Sequence, residues 1–387
     1  MDYRLLILAL GTFSIGTDSY VVAGILPQVA QSFGTSVPAA GQFVSAYSIS
    51  YALLTPLMAT LTANWPRRNV LLLGLVAFVA SNILTATAPT FGLALAGRVF
   101  AGFGGAVFTP AASAVATALL PPERRGHALA VVLAGLSAAT ALGAPIGTLI
   151  AGLGDWHTTF WFVAAMAGIA AGGVLGLLPD TPTPARVTLR ARFAPLADAR
   201  VAATLATTLL IMLGVFLVYT YMSLIFDRAS SGRGSLLAAL MAIWGVGATI
   251  GSLKAGSLTD RFGSRRVLNT AVVVLAVDFA LLPWTSATVP SAALALAFWG
   301  MCGWGLVVAQ QHRLVGMNQA LAPILLALNA SAIYLGIGAS GVLGAVLLGT
   351  FGAHQLPIAG AALIALGGVI GELASRINRT EATGTSG

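Results

Sequence analysis

The sequence predicts an all-α membrane protein, with twelve transmembrane helices in two related six-helix bundles. Three observations carry that reading. Of 387 residues, 58% are hydrophobic and 8% are charged, and the mean hydropathy is +0.92; a soluble domain carries roughly 25% charged residues. The chain divides into twelve apolar runs, most of them near the roughly 20 residues that cross a bilayer. A loop pattern near residue 60 also returns 197 positions later, beyond a stretch rich in Pro and Arg.

The runs are 5–27, 39–62, 70–88, 91–118, 127–152, 158–178, 200–224, 235–257, 266–286, 290–311, 324–349 and 354–373. The first, LLILALGTFSIGTDSYVVAGILPQ to Gln28, carries one carboxylate, Asp18. An ionisable group inside a span costs at least ~2.5 kcal/mol on insertion scales, so by default it marks a functional site with a partner. The alternative, a helix-end acid that reaches water, is disfavoured by the roughly nine residues, ~13 Å of rise, outside it. The second run ends at the basic loop TLTANWPRRNVL. The third is short, and the seventh untidy, so eleven or thirteen spans are the competing counts. The fourth holds Arg98 about seven residues from its outer end, ~10 Å deep and close to the level expected for Asp18. Opposite charges at one depth in apolar surroundings are expected to pair, as a proton site or as a fixed structural ion pair. The fifth and eleventh are rich in glycine, which lets backbones approach. The ninth contains a second acid, Asp278, read as a buried hydrogen-bonding group. The tenth contains Cys302, the only cysteine, which excludes an internal disulfide and a cysteine-based metal site.

Charge placement sets the topology. Sixteen of the nineteen Lys and Arg residues fall in one set of loops and span ends, two (Arg228 and Arg233) in the other, and Arg98 within a span. By the positive-inside rule, both ends of the chain are expected in the cytoplasm. The net charge of +8 therefore belongs to membrane loops, and no nucleic-acid partner is expected. Arg4 leads at once into a full-length span with no small-residue cleavage pattern, so the first span is expected to act as its own insertion signal. Four regions follow: a first bundle at 1–178, a cytoplasmic linker at 179–199, a second bundle at 200–375 and a disordered tail at 376–387. The linker, PDTPTPARVTLRARFAPLADAR to Arg200, is expected to hold a short amphipathic piece on the anionic membrane surface.

The halves look duplicated. Leu61, Thr62, Arg68, Val70 and Leu71 recur as Leu258, Thr259, Arg265, Val267 and Leu268, and Gly147 and Gly152 recur as Gly344 and Gly349. One shared offset at two places favours duplication over chance matching. The second copy of the loop reads Gly256-Ser-Leu-Thr-Asp260-Arg261-Phe-Gly263-Ser-Arg265-Arg266. It resembles the G-x-L-x-D-R-x-G-x-R-R signature of the major facilitator superfamily. In the first copy Ala63 replaces the acid and Pro66 the glycine. Arg98-x-x-x-Gly102-x-Gly104 resembles the superfamily's fourth-span motif, whose arginine is linked to proton transfer in relatives. Gly135, Gly143, Pro145 and Gly147 resemble the exporters' antiporter motif. Together with GTFSIGTDSYVVAGILPQVA, SVPAAGQFVSAYSISYAL and GDWHTTFW, these stretches resemble the twelve-span drug:proton antiporters, near the sugar-efflux and chloramphenicol exporters. Relatives often have Trp-Arg after the fifth span, where this chain has Trp156-His157.

That resemblance implies two bundles around a central site and a proton-coupled exporter of small neutral or lipophilic compounds, drugs or sugars, working by alternating access. Asp18 would bind the proton and Arg98 would tune it. The loop residues Gly256, Asp260, Arg261, Gly263, Arg265 and Arg266, with Arg68 in the first copy, would gate. The 197 offset sets Val215 opposite Asp18, so proton chemistry is expected in one half. Tyr47, Tyr51, Phe108, Phe216, Tyr219, Trp244, Trp304, Asn329 and Tyr334 are candidates for lining a central cavity, with core or lipid-facing packing as the alternative. The expected setting is the cell membrane, as a monomer among lipids, with a small-molecule substrate, protons as coupling ion and no cofactor. An uptake symporter or facilitator is the alternative, because fold does not give direction. No Ser-His pair, nucleotide loop or His/Asp/Glu metal cluster is visible, which argues against an enzyme.

Overall fold

The computed structural model describes residues 2–179, 181 and 187–384, with backbone alone for 374–384. Among these residues, twelve helices are long and apolar enough to cross a membrane. They are α1 (Tyr3–Ser32), α2 (Val37–Leu61), α3 (Arg67–Thr87), α4 (Phe91–Leu119), α5 (Pro122–Leu153), α6 (Trp156–Leu177), α7 (Ala199–Thr220), α8 (Gly234–Phe262), α9 (Ser264–Thr285), α10 (Val289–Met317), α11 (Gln319–Phe351) and α12 (Ala353–Leu373). The count of twelve holds. The backbone of α12 stays helical to Gly384, so the tail expected to be disordered from residue 376 continues the helix. The physical reason is that no Gly or Pro interrupts residues 372–383. Residues 385–387 and Arg186 lie outside the described residues, as do the side chains of Arg376 and Arg379.

Apolar runs locate these helices but not their ends. α8 runs on to Phe262 and α10 to Met317, five and six residues past the runs, because polar residues leave the bilayer without breaking a helix. Breaks need backbone chemistry. Gly263 turns the chain at φ +81°, a left-handed conformation that favours glycine, and its N–H bonds to Thr259 O at 2.8 Å. Several starts are capped by side chains: Asp2 accepts from Arg4 N, Thr90 from Leu93 N, and Asp198 from Arg200 N. Arg200 also chelates the Asp198 carboxylate and holds it below the usual carboxylate range.

The two halves pack alike. α1 lies on α5 and α6, α2 on α4, and α3 on α4 and α6; each pairing recurs six helices on, as α7 with α11 and α12, α8 with α10, and α9 with α10 and α12. The duplication reaches single contacts. Arg68 donates to Leu175 O, Arg265 forms an ion pair with Glu372, and Leu175 and Glu372 are themselves 197 positions apart. Both arginines thus tie the third helix of a half to its sixth.

Between halves, α2 meets α11 and α5 meets α8. Call the side with the arginine-rich loops the basic face and the other the far face. Toward the far face one apolar core runs through both halves, joining Tyr20, Ile25, Phe43 and Trp156 to Phe216, Tyr219, Trp244 and Trp299. Toward the basic face each half keeps its own cluster, one around Leu8, Leu71 and Val132, the other around Leu205, Leu314 and Leu328. Among the described residues, side-chain hydrogen bonds join the bundles directly from Tyr219 to Tyr20 O, Gln42 to Gly341 O, Thr148 to Met241 Sδ and Ser331 to Ala52 O, and between Tyr51 and Tyr334. Ser331–Ala52, the bond nearest the basic face, is already near mid-span. The molecule is closed on its far side and parted on its basic side.

The linker crosses that parted side. Leu189–Phe193 forms a short helix, and Arg192 donates to Thr60 Oγ1 at 3.2 Å and Ala59 O at 3.3 Å at the end of α2.

Candidate functional site

Asp18 and Arg98 are both fully buried and meet directly. Arg98 Nη1 donates to Asp18 Oδ1 at 2.6 Å, and Nη2 reaches Asp18 O at 3.4 Å. The guanidinium also lies over two ring faces, Tyr47 at 5.0 Å and Phe160 at 5.3 Å. Rings so placed stabilise a cation when desolvated. Asp18 Oδ2 is buried with no hydrogen-bond partner, as are Arg98 Nε, Thr17 Oγ1 and the Tyr47 hydroxyl. The carboxylate is therefore held by one strong bond and otherwise poorly solvated, a state in which its charge is costly. Their relative depth differs from expectation. α1 extends five residues past its run to Ser32, which puts Asp18 at mid-helix, ~21 Å from the far end. Arg98 spans the difference with its side chain.

Small residues set this geometry. α5 is broken by a π-helical turn at Ala139–Gly143, a feature often found at functional sites. α1 and α8 press on α5 from two sides. A Cβ at Gly143 would strike Thr17, beside Asp18, and one at Gly245 of α8 would strike the Thr140 backbone. Gly135 and Gly147 lie against Ala9 and Val21 of α1, with Pro145 buried between them along the helix.

The other candidates separate into groups. Tyr219, Trp244, Phe216 and Trp304 surround Tyr20 at the roof of the parted side. Tyr51 of α2 stacks on Tyr334 of α11 at 3.8 Å, with Tyr47 near both. Phe108 is not with them: its ring fills the notch at Gly11 within the first bundle. Asn329 is enclosed among α7, α10 and α11, where its Oδ1 accepts from Thr208, which also accepts from Gln310. Asp278 of α9, expected to be a buried hydrogen-bonding group, has an enclosed Oδ2 with no hydrogen-bond partner among the described residues, and it lies near Cys302 of α10. Among the described residues, no group of three His, Cys, Asp or Glu is placed to hold a metal ion.

A sequence profile described as the Major Facilitator Superfamily matches residues 8–321. The chain belongs to this superfamily. An uncharacterized MFS-type transporter of Bacillus subtilis (strain 168), YbcL, is 30% identical over 88% of each chain. The chloramphenicol resistance protein of Streptomyces lividans is 34% identical over 77% of this chain and 76% of its own. Among solved structures, a bacterial homologue of the human lysosomal transporter Spinster superposes with TM-score 0.79 at 15% identity, over 97% of this chain and 96% of that one. The protein is a multi-pass membrane transporter of the major facilitator fold and not an enzyme.

The superfamily's loop signature sits at the basic face. Asp260 is 75% exposed, 3.7 Å from His312 at the end of α10. Arg124, Arg125 and Gly126, at the basic-face start of α5, are exposed, and no ion pair joins them to Asp260 among the described residues. Arg261 lies over the Phe262 ring, and Arg266 is exposed. Gly256 faces open space, so no close helix contact depends on it here.

Some residues at the centre escaped the sequence reading. Ser137 and Thr140 of α5 and Thr249 and Ser252 of α8 line a pocket below Trp304. Their signal was available: two hydroxyl pairs spaced i, i+3, each on one helix face. Tyr20 and Phe160 carried no such signal, since any aromatic in a span reads first as core.

Proposed function

We propose that this major facilitator protein is a proton-coupled exporter of small neutral or lipophilic compounds. The observation that carries it is the buried Asp18–Arg98 pair, with one carboxylate oxygen left bare. Protonating Asp18 removes its charge and weakens its hold on Arg98, while Tyr47 and Phe160 keep the cation tolerable. A proton drives the cycle only if one access state binds it better. The pair is built into α1, the helix that touches α5 and, through Tyr20, the other half, so its charge state bears on both. Export is supported by the name of the Streptomyces relative, and neutral substrates by the hydroxyl- and ring-lined pocket. The excess of Lys and Arg supports a cytoplasmic basic face in the cell membrane, with the cavity open to the cytoplasm here.

The test uses everted vesicles holding a pH gradient. An exporter releases part of the gradient when chloramphenicol, or another compound found by thermal-shift screening, is added. A compound that binds and crosses without moving protons leaves a facilitator as the answer.

A further inference from the structure

The rings that close the far side form a cage, and the protein itself fills it. Tyr20 of α1 has four ring neighbours, all from the second half. Phe216 and Tyr219 of α7, Trp244 of α8 and Trp304 of α10 lie at centroid separations of 6.3, 6.0, 6.1 and 6.2 Å. Aromatic pairs attract at about 4.5–7 Å, and the Tyr219 and Trp304 contacts are edge-to-face, a favoured geometry. Tyr20 is 3% exposed, and its carbonyl accepts from the Tyr219 hydroxyl.

Trp304 is the seam between cage and cavity. It packs on Tyr20 and also lines the pocket with Ser137, Thr140, Thr249 and Ser252. A molecule in that pocket meets the cage at Trp304, with Tyr20 in the place its ring would take. Asp18 and Tyr20 are two residues apart, about 200° around α1. Asp18 faces into its own bundle, and Tyr20 faces across to the other.

We propose that Phe216, Tyr219, Trp244 and Trp304 form a binding site for a neutral aromatic ring of the transported molecule, and that Tyr20 is its intramolecular placeholder. No charged side chain belongs to the cage. The Trp244 indole N–H is buried with no partner, a donor for an accepting ring substituent. Ring and Tyr20 exclude each other, so the ligand enters only as α1 withdraws from α7, α8 and α10. A ligand biases that movement by binding the parted arrangement better. The identity of the occupant as transported cargo rests on the export reading.

The test is isothermal titration of the purified full-length protein with p-cresol, the tyrosine side chain as a free molecule, and with its saturated counterpart 4-methylcyclohexanol. Tyr20→Ala should bind p-cresol about tenfold tighter than the unsubstituted protein, and 4-methylcyclohexanol should gain less than about threefold. Adding Trp244→Ala should remove the p-cresol gain. Where Tyr20→Ala does not yield monodisperse protein, Tyr20→Leu carries the same comparison, with a smaller gain. Equal p-cresol affinity with and without the Tyr20 ring, or an equal gain for the saturated compound, overturns the proposal. The titration needs no gradient, so failure of proton-coupled export would show in vesicles while leaving this result standing.

Discussion

At the scale of single residues, the Asp18–Arg98 pair is asymmetric in how each member tolerates losing the other. A stranded carboxyl can neutralise itself by taking a proton; a stranded arginine cannot. Asp18→Leu should therefore cost about 3–5 kcal/mol, the range for breaking a buried pair, and Arg98→Met less. The double substitution should recover part of the Asp18→Leu loss, and thermal unfolding in detergent ranks the three. A double variant as unstable as the two singles combined would mean the pair is not coupled. Asp18→Asn is milder, because its side-chain oxygen still accepts from Arg98. It should mimic the protonated state, binding substrate while stopping proton-driven transport. Normal substrate-driven proton release by that variant in everted vesicles would sink the proton role.

Among the elements, α5 is the one whose backbone decides most. Its π-helical turn is clasped by α1 at Thr17 and by α8 at Gly245. The α8 contact is backbone to backbone, so neither side can yield by a rotamer change. Gly245→Val should wedge α5 from α8 and open the far side. Overpacking costs about 1–3 kcal/mol, a shift of roughly five- to 150-fold toward the outward-open state. A cysteine at Ser45, now buried against Gly341, reports this once Cys302 is replaced by Ala. Its labelling rate should rise with Gly245→Val and change little with Gly256→Ala, which faces open space. Equal labelling in both removes α5–α8 contact as the far-side closure.

For the whole molecule, the two halves are unequal copies. The second holds Asp260 and the Arg265–Glu372 ion pair; the first has Ala63 and a bond from Arg68 to a backbone carbonyl. In the arrangement described here Asp260 is solvated and contributes little. If it meets the first turn of α5 when the basic side closes, the contact is worth about 0.3–1 kcal/mol at an exposed helix end. Asp260→Ala should then lower the outward-open fraction about two- to fivefold, by more than any change at Ala63 or Asn64, and Ala63→Asp should raise it. The Ser45 reporter measures both. An unchanged rate with Asp260→Ala, alongside altered rates for Ala63 or Asn64 variants, would place the latch on the wrong half.

Twelve spans, their order, the duplication and the partnership of Asp18 with Arg98 could be read from the chain alone. Each rests on a local or nearly local cause: apolar length against bilayer thickness, basic residues kept to one side, and the cost of an unpaired charge in hydrocarbon. The 197 offset even held for a contact not used to find it, Leu175 against Glu372. Helix ends were misplaced, as at Ser32 and Met317, because polarity marks where a helix leaves the bilayer and not where it stops. What only the tertiary structure decided is which surfaces face which. That the far side is shut, that Phe108 serves its own bundle, and that Tyr20 fills a ring cage built by three helices of the other half all depend on contacts between residues about one hundred to three hundred positions apart. A membrane helix apolar on every side gives no periodic sign of which face meets protein and which meets lipid, so that choice is made by packing.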